Sequence, residues 1–220
     1  MDRLVNLLGK HVEVKISGGT VFIGILTDSG PDILVLFNGE NYLYLPLLHV
    51  HKLYRYTKSD TVESPSAPSL SDDIDSISYR KILMNAKGIF TEIYATGNLS
   101  FHGYITNVLS NYISFYSPVY KTMYLPLSHI KWITPYSQNN TPYTLSNEKL
   151  PVNPSNIPLL RSFEEQLKKE EGKLVVFDGG SDPNKIGLLT KVENNFVELA
   201  NASGETVYLR LNHIKSVQLP

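Results

Sequence analysis

The sequence predicts a mainly β protein made of three tandem small five-stranded barrels, each opened by a short N-terminal helix. Two observations carry that reading. The stretch Asn41-Tyr42-Leu43-Tyr44-Leu45-Pro46-Leu47-Leu48-His49 returns as Thr122-Met123-Tyr124-Leu125-Pro126-Leu127-Ser128-His129, and again as Thr206-Val207-Tyr208-Leu209-Arg210-Leu211-Asn212-His213. Upstream, Gly24, Gly103 and Gly187 precede the repeated His by 25 or 26 residues, and Gly9, Gly88 and Gly172 lie a further 15 back. A module of roughly fifty residues used three times is the unit to explain.

Within the first module, residues 1–57, Leu4, Leu7 and Leu8 fall at helical spacing and Gly9 is a left-handed stop. His11 to Ile16 alternates polar and apolar, the period of a strand with one buried face. Ser17-Gly18-Gly19 turns the chain into a second strand, Thr20 to Leu26, in which Gly24 permits a sharp bend or close strand approach. Ile33 to Phe37 and Tyr42 to Leu45 form a hairpin around Asn38-Gly39. Pro46 to His49 suits one helical turn before a short fifth strand, His51 to Tyr56.

The second module, residues 77–136, repeats the plan. Ser78 to Lys87 reads as a helix ended by Gly88, with strands at Phe90 to Ala95, Leu99 to Val108, Ile113 to Tyr116 and Lys121 to Leu125. The third, residues 161–220, opens on Ser162 and Glu165 at capping-box spacing. Strands follow at Lys173 to Phe177, Ile186 to Val192, Phe196 to Leu199 and Thr206 to Leu209, with Gly179 to Asn184 as the first hairpin turn. Residues 58–76 read as a solvated acidic Ser/Pro linker, and residues 137–160 as an extended Pro/Asn linker in which no helix or central strand survives.

The totals narrow the function classes. A 220-residue chain of three small modules leaves each with about 60% of its unfolded surface buried and marginal alone, so the modules should lean on one another or on neighbouring molecules. Zero cysteines exclude disulfides, thiolate metal sites and a cysteine nucleophile. No apolar run approaches the ~20 residues of a membrane helix, and the first ten residues read as no secretory peptide. The net charge of −1 gives no general reason to bind nucleic acid. It is unevenly spread, with −4 on residues 58–76 against +4 on residues 77–136, so the acidic linker and the basic middle module can neutralise each other.

Helix, five short strands, a glycine in strand two and one helical turn before strand five together resemble the Sm-like (SH3-type) barrel. Phe22 to Leu26, Phe101 to Ile105 and Lys185 to Leu189 stand where that fold has its first glycine-containing strand. A sharper match is Gly179-Gly180-Ser181-Asp182-Pro183-Asn184-Lys185-Ile186-Gly187-Leu188-Leu189 with Val207 to Val217, which resembles the spore coat protein B family of endospore-forming bacilli. The first two modules match more loosely, and the family's Ser/Lys-rich tail has no counterpart here. The resemblance implies a structural spore coat protein, made in the mother-cell cytoplasm and laid down in the coat or outer spore layers, not secreted. Its partners would be itself and other coat proteins.

His49, His129 and His213 are the obvious candidates for chemistry. Around each stand only apolar residues, Lys and one variable position, with no convergent partner for a metal site or general base, so they are expected to be structural, each ring bonding a backbone carbonyl. His11, His51 and His102 read as solvated surface. No nucleophile elbow or Walker pattern occurs, and neither enzyme activity nor a cofactor is expected. Eight of the fourteen tyrosines lie between Tyr79 and Tyr136. Tyr104, Tyr112, Tyr116, Tyr120 and Tyr124, with Trp132, either bury their rings in the core or in a protein–protein interface, with hydroxyls at the rim, or stack on bases beside Lys121 and Lys131. The small basic count favours the first. The alternative function is an array of Sm-like modules binding RNA or single-stranded nucleic acid.

Overall fold

The computed structural model describes residues 4–57, 63, 65, 69–71, 76–137, 142–145 and 158–220. Most of both linkers, and the start of the first expected helix, lie outside the described residues. The first unit opens with a 3-10 turn, Val5–Leu7, and continues as β1 (His11–Ile16), β2 (Val21–Ser29), β3 (Ile33–Phe37), β4 (Tyr42–Pro46), a 3-10 turn (Leu47–His49) and β5 (Val50–Arg55). The second has α1 (Tyr79–Asn85), β6 (Phe90–Ala95), β7 (Leu99–Val108), β8 (Tyr112–Ser117), β9 (Lys121–Pro126), a 3-10 turn (Leu127–His129) and β10 (Ile130–Pro135). The third has α2 (Phe163–Lys169), β11 (Leu174–Phe177), β12 (Ile186–Glu193), β13 (Phe196–Ala200), β14 (Thr206–Arg210), a 3-10 turn (Leu211–His213) and β15 (Val217–Gln218).

The same local chemistry builds each unit. Ser78 caps α1 by accepting from Lys81 N, and Ser162 caps α2 in a full capping box with Glu165. Gly9, Gly88 and Gly172 take positive φ after the opening turn or helix. Gly24, Gly103 and Gly187 sit where neighbouring strands come too close for a side chain: a Cβ would lie 2.2, 2.1 and 2.1 Å from the carbonyl oxygens of Phe37, Tyr116 and Ala200. These glycines are kept by a steric crossing on the following strand.

The fifteen strands form one antiparallel sheet, in the order β14-β13-β12-β11-β15-β9-β8-β7-β6-β10-β4-β3-β2-β1-β5. Each unit contributes its strands in the order fifth, first, second, third, fourth. The fourth and fifth strands of one unit do not pair with each other. Instead β4 pairs with β10, and β9 with β15. Among the described residues the sheet is therefore open, with β5 unpaired on one side at one end and β14 at the other.

Three apolar clusters lie along this sheet, and none belongs to one unit alone. One joins Ile33, Val35 and Tyr44 of the first unit to Leu83 of α1 and the interior of the second. Another joins Tyr112 and Tyr124 to Leu167 of α2 and the interior of the third. The remaining cluster fills the first unit and takes in Trp132. Small units with marginal interiors thus share their burial, the expected remedy for domains of this size.

Three expectations need correction. The opening turn of the first unit is a 3-10 turn over Val5–Leu7, with no α-helix among the described residues there. The hairpin turn between the paired strands β11 and β12 is, as expected, at Gly179 to Asn184, and it is built from two 3-10 turns, Asp178–Gly180 and Pro183–Lys185, set by the fixed φ of Pro183 and Asp182 accepting from Asn184 N. Residues 58–76 are not solvated throughout, since Leu70 packs on the shared interior, Ser71 is buried and Leu70 N donates to Tyr44 Oη at 2.6 Å. In the second linker, Pro142–Thr144 forms a 3-10 turn whose Tyr143 ring meets Phe90 edge-on at 6.1 Å.

Candidate functional site

Two copies of the repeated segment, those ending in His49 and His129, lie at the two internal seams where one unit meets the next, and the third, ending in His213, lies at the β14 end of the sheet. At the first seam Tyr44 stands opposite Ile133. At the second, Tyr124 stands opposite Val217 and Met123 opposite Gln218. Tyr44 and Tyr124 hold the same place in the repeat, as do Ile133 and Val217, so the two seams share one register. Both tyrosines are buried at the joint.

Each seam is closed by the same accessory contacts. The opening helix of the later unit is met by a side chain of the earlier one: Tyr79 N donates to Asp32 Oδ1 at 2.8 Å, and Phe163 N to Asn111 Oδ1 at 2.9 Å. These bonds satisfy helix-end donors that would otherwise lack partners. A lysine of the later unit also lies over a turn glycine of the earlier one. A Cβ on Gly18 would come within 2.6 Å of Lys131 Nζ, and one on Gly97 within 3.0 Å of Lys215 Nζ.

The histidines belong to this closure. His129 meets Thr96 Oγ1 through Nδ1 at 2.9 Å and the Asn212 carbonyl of the next unit through Nε2 at 2.9 Å. His49 meets Ser17 Oγ through Nδ1 at 3.2 Å. Its Nε2 is buried without a full hydrogen bond, although the Ser128 carbonyl of the next unit still raises its basicity. Burial outweighs these carbonyls and holds both imidazoles below the ordinary value. The neutral ring is therefore the form the seam accommodates.

The second seam contains a buried polar cluster as well. Tyr124 Oη donates to Glu170 Oε1 at 3.2 Å, Gln166 Nε2 donates to the same oxygen at 2.6 Å, and Tyr112 Oη donates to the Leu160 carbonyl at 2.7 Å. Lys173 Nζ reaches the other oxygen of Glu170 at 2.6 Å. Burial, then the Glu170 charge, pushes both phenols well above the ordinary tyrosine value, so they stay neutral hydrogen-bond donors.

The sequence-selected aromatic residues divide on inspection. Tyr112 and Tyr124 face the second seam, inside the chain. Trp132 stacks on Tyr94 at 3.8 Å and lies against the first unit's interior. Tyr104 is buried against Phe90, Tyr116 is half-buried and Tyr120 is exposed. His102 is not simply solvated, because its Nδ1 meets Tyr136 Oη at 2.8 Å. His11 Nδ1 is buried without a partner, and His51 is exposed.

Along the seams runs a groove of about 840 Å³ lined from all three units, including Asp32, Asn111 and Asn195 at the head of each third strand. Among the described residues, its charged lining groups are the carboxylates Asp32 and Glu164, and no Lys or Arg lines it. Such a lining repels phosphate. Among the described residues no group of three His, Asp or Glu side chains is placed to hold a metal ion, and no helix is long and apolar enough to cross a membrane.

The family model described as the YwrJ third domain matches residues 162–217, which here form the third unit with its opening helix. Over 225 aligned residues the chain is 51% identical to "Uncharacterized protein YwrJ" of Bacillus subtilis (strain 168), with both chains covered in full. The chain therefore belongs to the YwrJ family.

Proposed function

We propose that this chain is a structural protein of the bacterial spore coat, whose three Sm-like (SH3-type) barrel units act by edge-to-edge packing and self-association. The observation that carries the reading is the seam itself. One arrangement of edge strand, buried tyrosine, clasped helix end and histidine is used twice, and what repeats from unit to unit serves joining. His129 spends both ring nitrogens, and His49 its Nδ1, on contacts that pack the seams, which accounts for these two without a reaction. The resemblance of Gly179 to Leu189 and Val207 to Val217 to the spore coat protein B family supports the coat reading, and the coat proteins are the expected heterologous partners.

The nucleic-acid reading has less support. Among the described residues, the charged groups lining the groove shared by the units are two carboxylates, with no Lys or Arg, whereas single-strand grooves are positively charged. Filter binding of a single-stranded RNA across a salt series discriminates: weak, salt-insensitive retention is expected, and tight binding with a steep salt slope would favour the alternative. For the coat itself, a fluorescent fusion expressed during sporulation of a bacillus should collect on the developing spore's surface. Signal that stays diffuse in the mother cell would contradict the reading.

A further inference from the structure

The two ends of the sheet are the two halves of an unmade seam. On β14, Tyr208 occupies the repeat position of Tyr44 and Tyr124, yet it is 62% exposed. Asn195, which corresponds to Asp32 and Asn111, is exposed. The equivalence is geometric as well as sequential: Leu47 N donates to the Asp32 carbonyl, Leu127 N to that of Asn111, and Leu211 N to that of Asn195. At the other end, Leu53 on β5 corresponds to Ile133 and Val217.

The backbone at both ends is set for pairing. The bond from Leu211 N to Asn195 O fixes the alternation of the β13–β14 ladder, so Tyr208, opposite Glu198, turns its own N–H and C=O away from β13. The bond from Tyr56 N to His11 O does the same for Leu53, opposite Val14, on the free side of β5. Tyr124 and Val217 face each other in this way at the second seam, where Leu219 N donates to Thr122 O.

We propose that a second copy of this chain is the partner: β14 of one copy pairs antiparallel with β5 of the next, with Tyr208 opposite Leu53 and Val207 opposite Tyr54. The inference rests on the self-association proposed above and specifies its joint. The occupant follows from continuity with two existing interfaces of the same register, since β14 presents the half that β10 and β15 meet elsewhere, and β5 presents the other half. Because the two half-seams are different surfaces, the contact is heterologous and propagates head to tail.

The test uses the full-length chain. With no native cysteine, Val207→Cys and Tyr54→Cys introduce single thiols at a non-hydrogen-bonded pair, where side chains approach most closely. Mixed and mildly oxidised, these two variants should give a disulfide-linked dimer. Tyr208→Cys with Tyr54→Cys, whose side chains fall on opposite faces, should not. In sedimentation velocity the native chain should grow with concentration, and Tyr208→Pro should need about tenfold more protein or higher for the same association. Proline is tolerated there because the lost N–H faces solvent in the free chain, and an unchanged far-UV spectrum verifies folding. Association unaffected by Tyr208→Pro, with no disulfide in this register, would overturn the joint while leaving self-association standing. A monomer at every concentration would overturn both.

Discussion

The internal seams and the free ends of this sheet are made from the same residues in opposite circumstances. Tyr44 and Tyr124 are buried, their hydroxyls engaged by Leu70 N and Glu170, whereas Tyr208 on β14 is 62% exposed. Asp32 and Asn111 clasp helix ends, and Asn195 stands exposed. His129 spans to the next unit, and His213 is exposed at the last. The difference teaches that these residues are kept as a joint, because each makes its defining contact only where another unit follows.

The largest break in that comparison is at the tyrosines. Tyr124→Ala removes a fully buried ring and orphans the Glu170 cluster, so it should cost about 3–5 kcal/mol, read as a lowered denaturant midpoint. Tyr208→Ala in dilute protein should stay within about 0.5 kcal/mol of the native chain, as exposed positions do. Equal effects would erase the distinction between joint and free edge.

A smaller break is at the helix clasps. Asn111→Ala leaves the N-terminal donor of α2 without its acceptor and should cost about 1 kcal/mol. Asn195→Gly, which the left-handed backbone at that position accommodates (φ 63°), should cost nothing measurable by the same denaturation, provided the protein is dilute.

The smallest effect is on pH dependence. Burial holds His49 and His129 below the ordinary imidazole value, while the unfolded chain takes up these protons near pH 6.5. Below that pH the unfolded state binds more protons, so stability falls with acidification and levels off once the folded rings protonate. Thermal melts from pH 7.5 to 5 should show this limb, and replacing both with Gln should flatten it. A limb that persists unchanged would assign it to other groups.

Much of the fold was legible because its units are held by local rules. Alternation set β1, Ser162 with Glu165 set the start of α2, and Gly24, Gly103 and Gly187 marked a strand crossing that excludes any Cβ. The seams were not legible. Edge strands pair through backbone groups that every residue carries, so nothing in β4 or β10 names its partner, and an apolar face turned to a neighbouring unit reads the same as one turned to another molecule. That is why Tyr112 and Tyr124, read as core or protein–protein contact residues, carried no mark of the seam they bury between two units of this chain. The one available signal was the invariance of Tyr44, Tyr124 and Tyr208 across units whose other tyrosines differ. Leu70 was missed because the residues around it are acidic and small, and only the structure brings it onto Tyr44.

The most direct measurement is residue-resolved amide exchange at Tyr208 and Leu53 as protein concentration is raised. Protection at both amides should climb together toward that of Tyr124, as the free ends become a third seam. Exchange at Tyr208 and Leu53 that remains as fast as in an open strand at every concentration, while the chain still associates, would contradict the account.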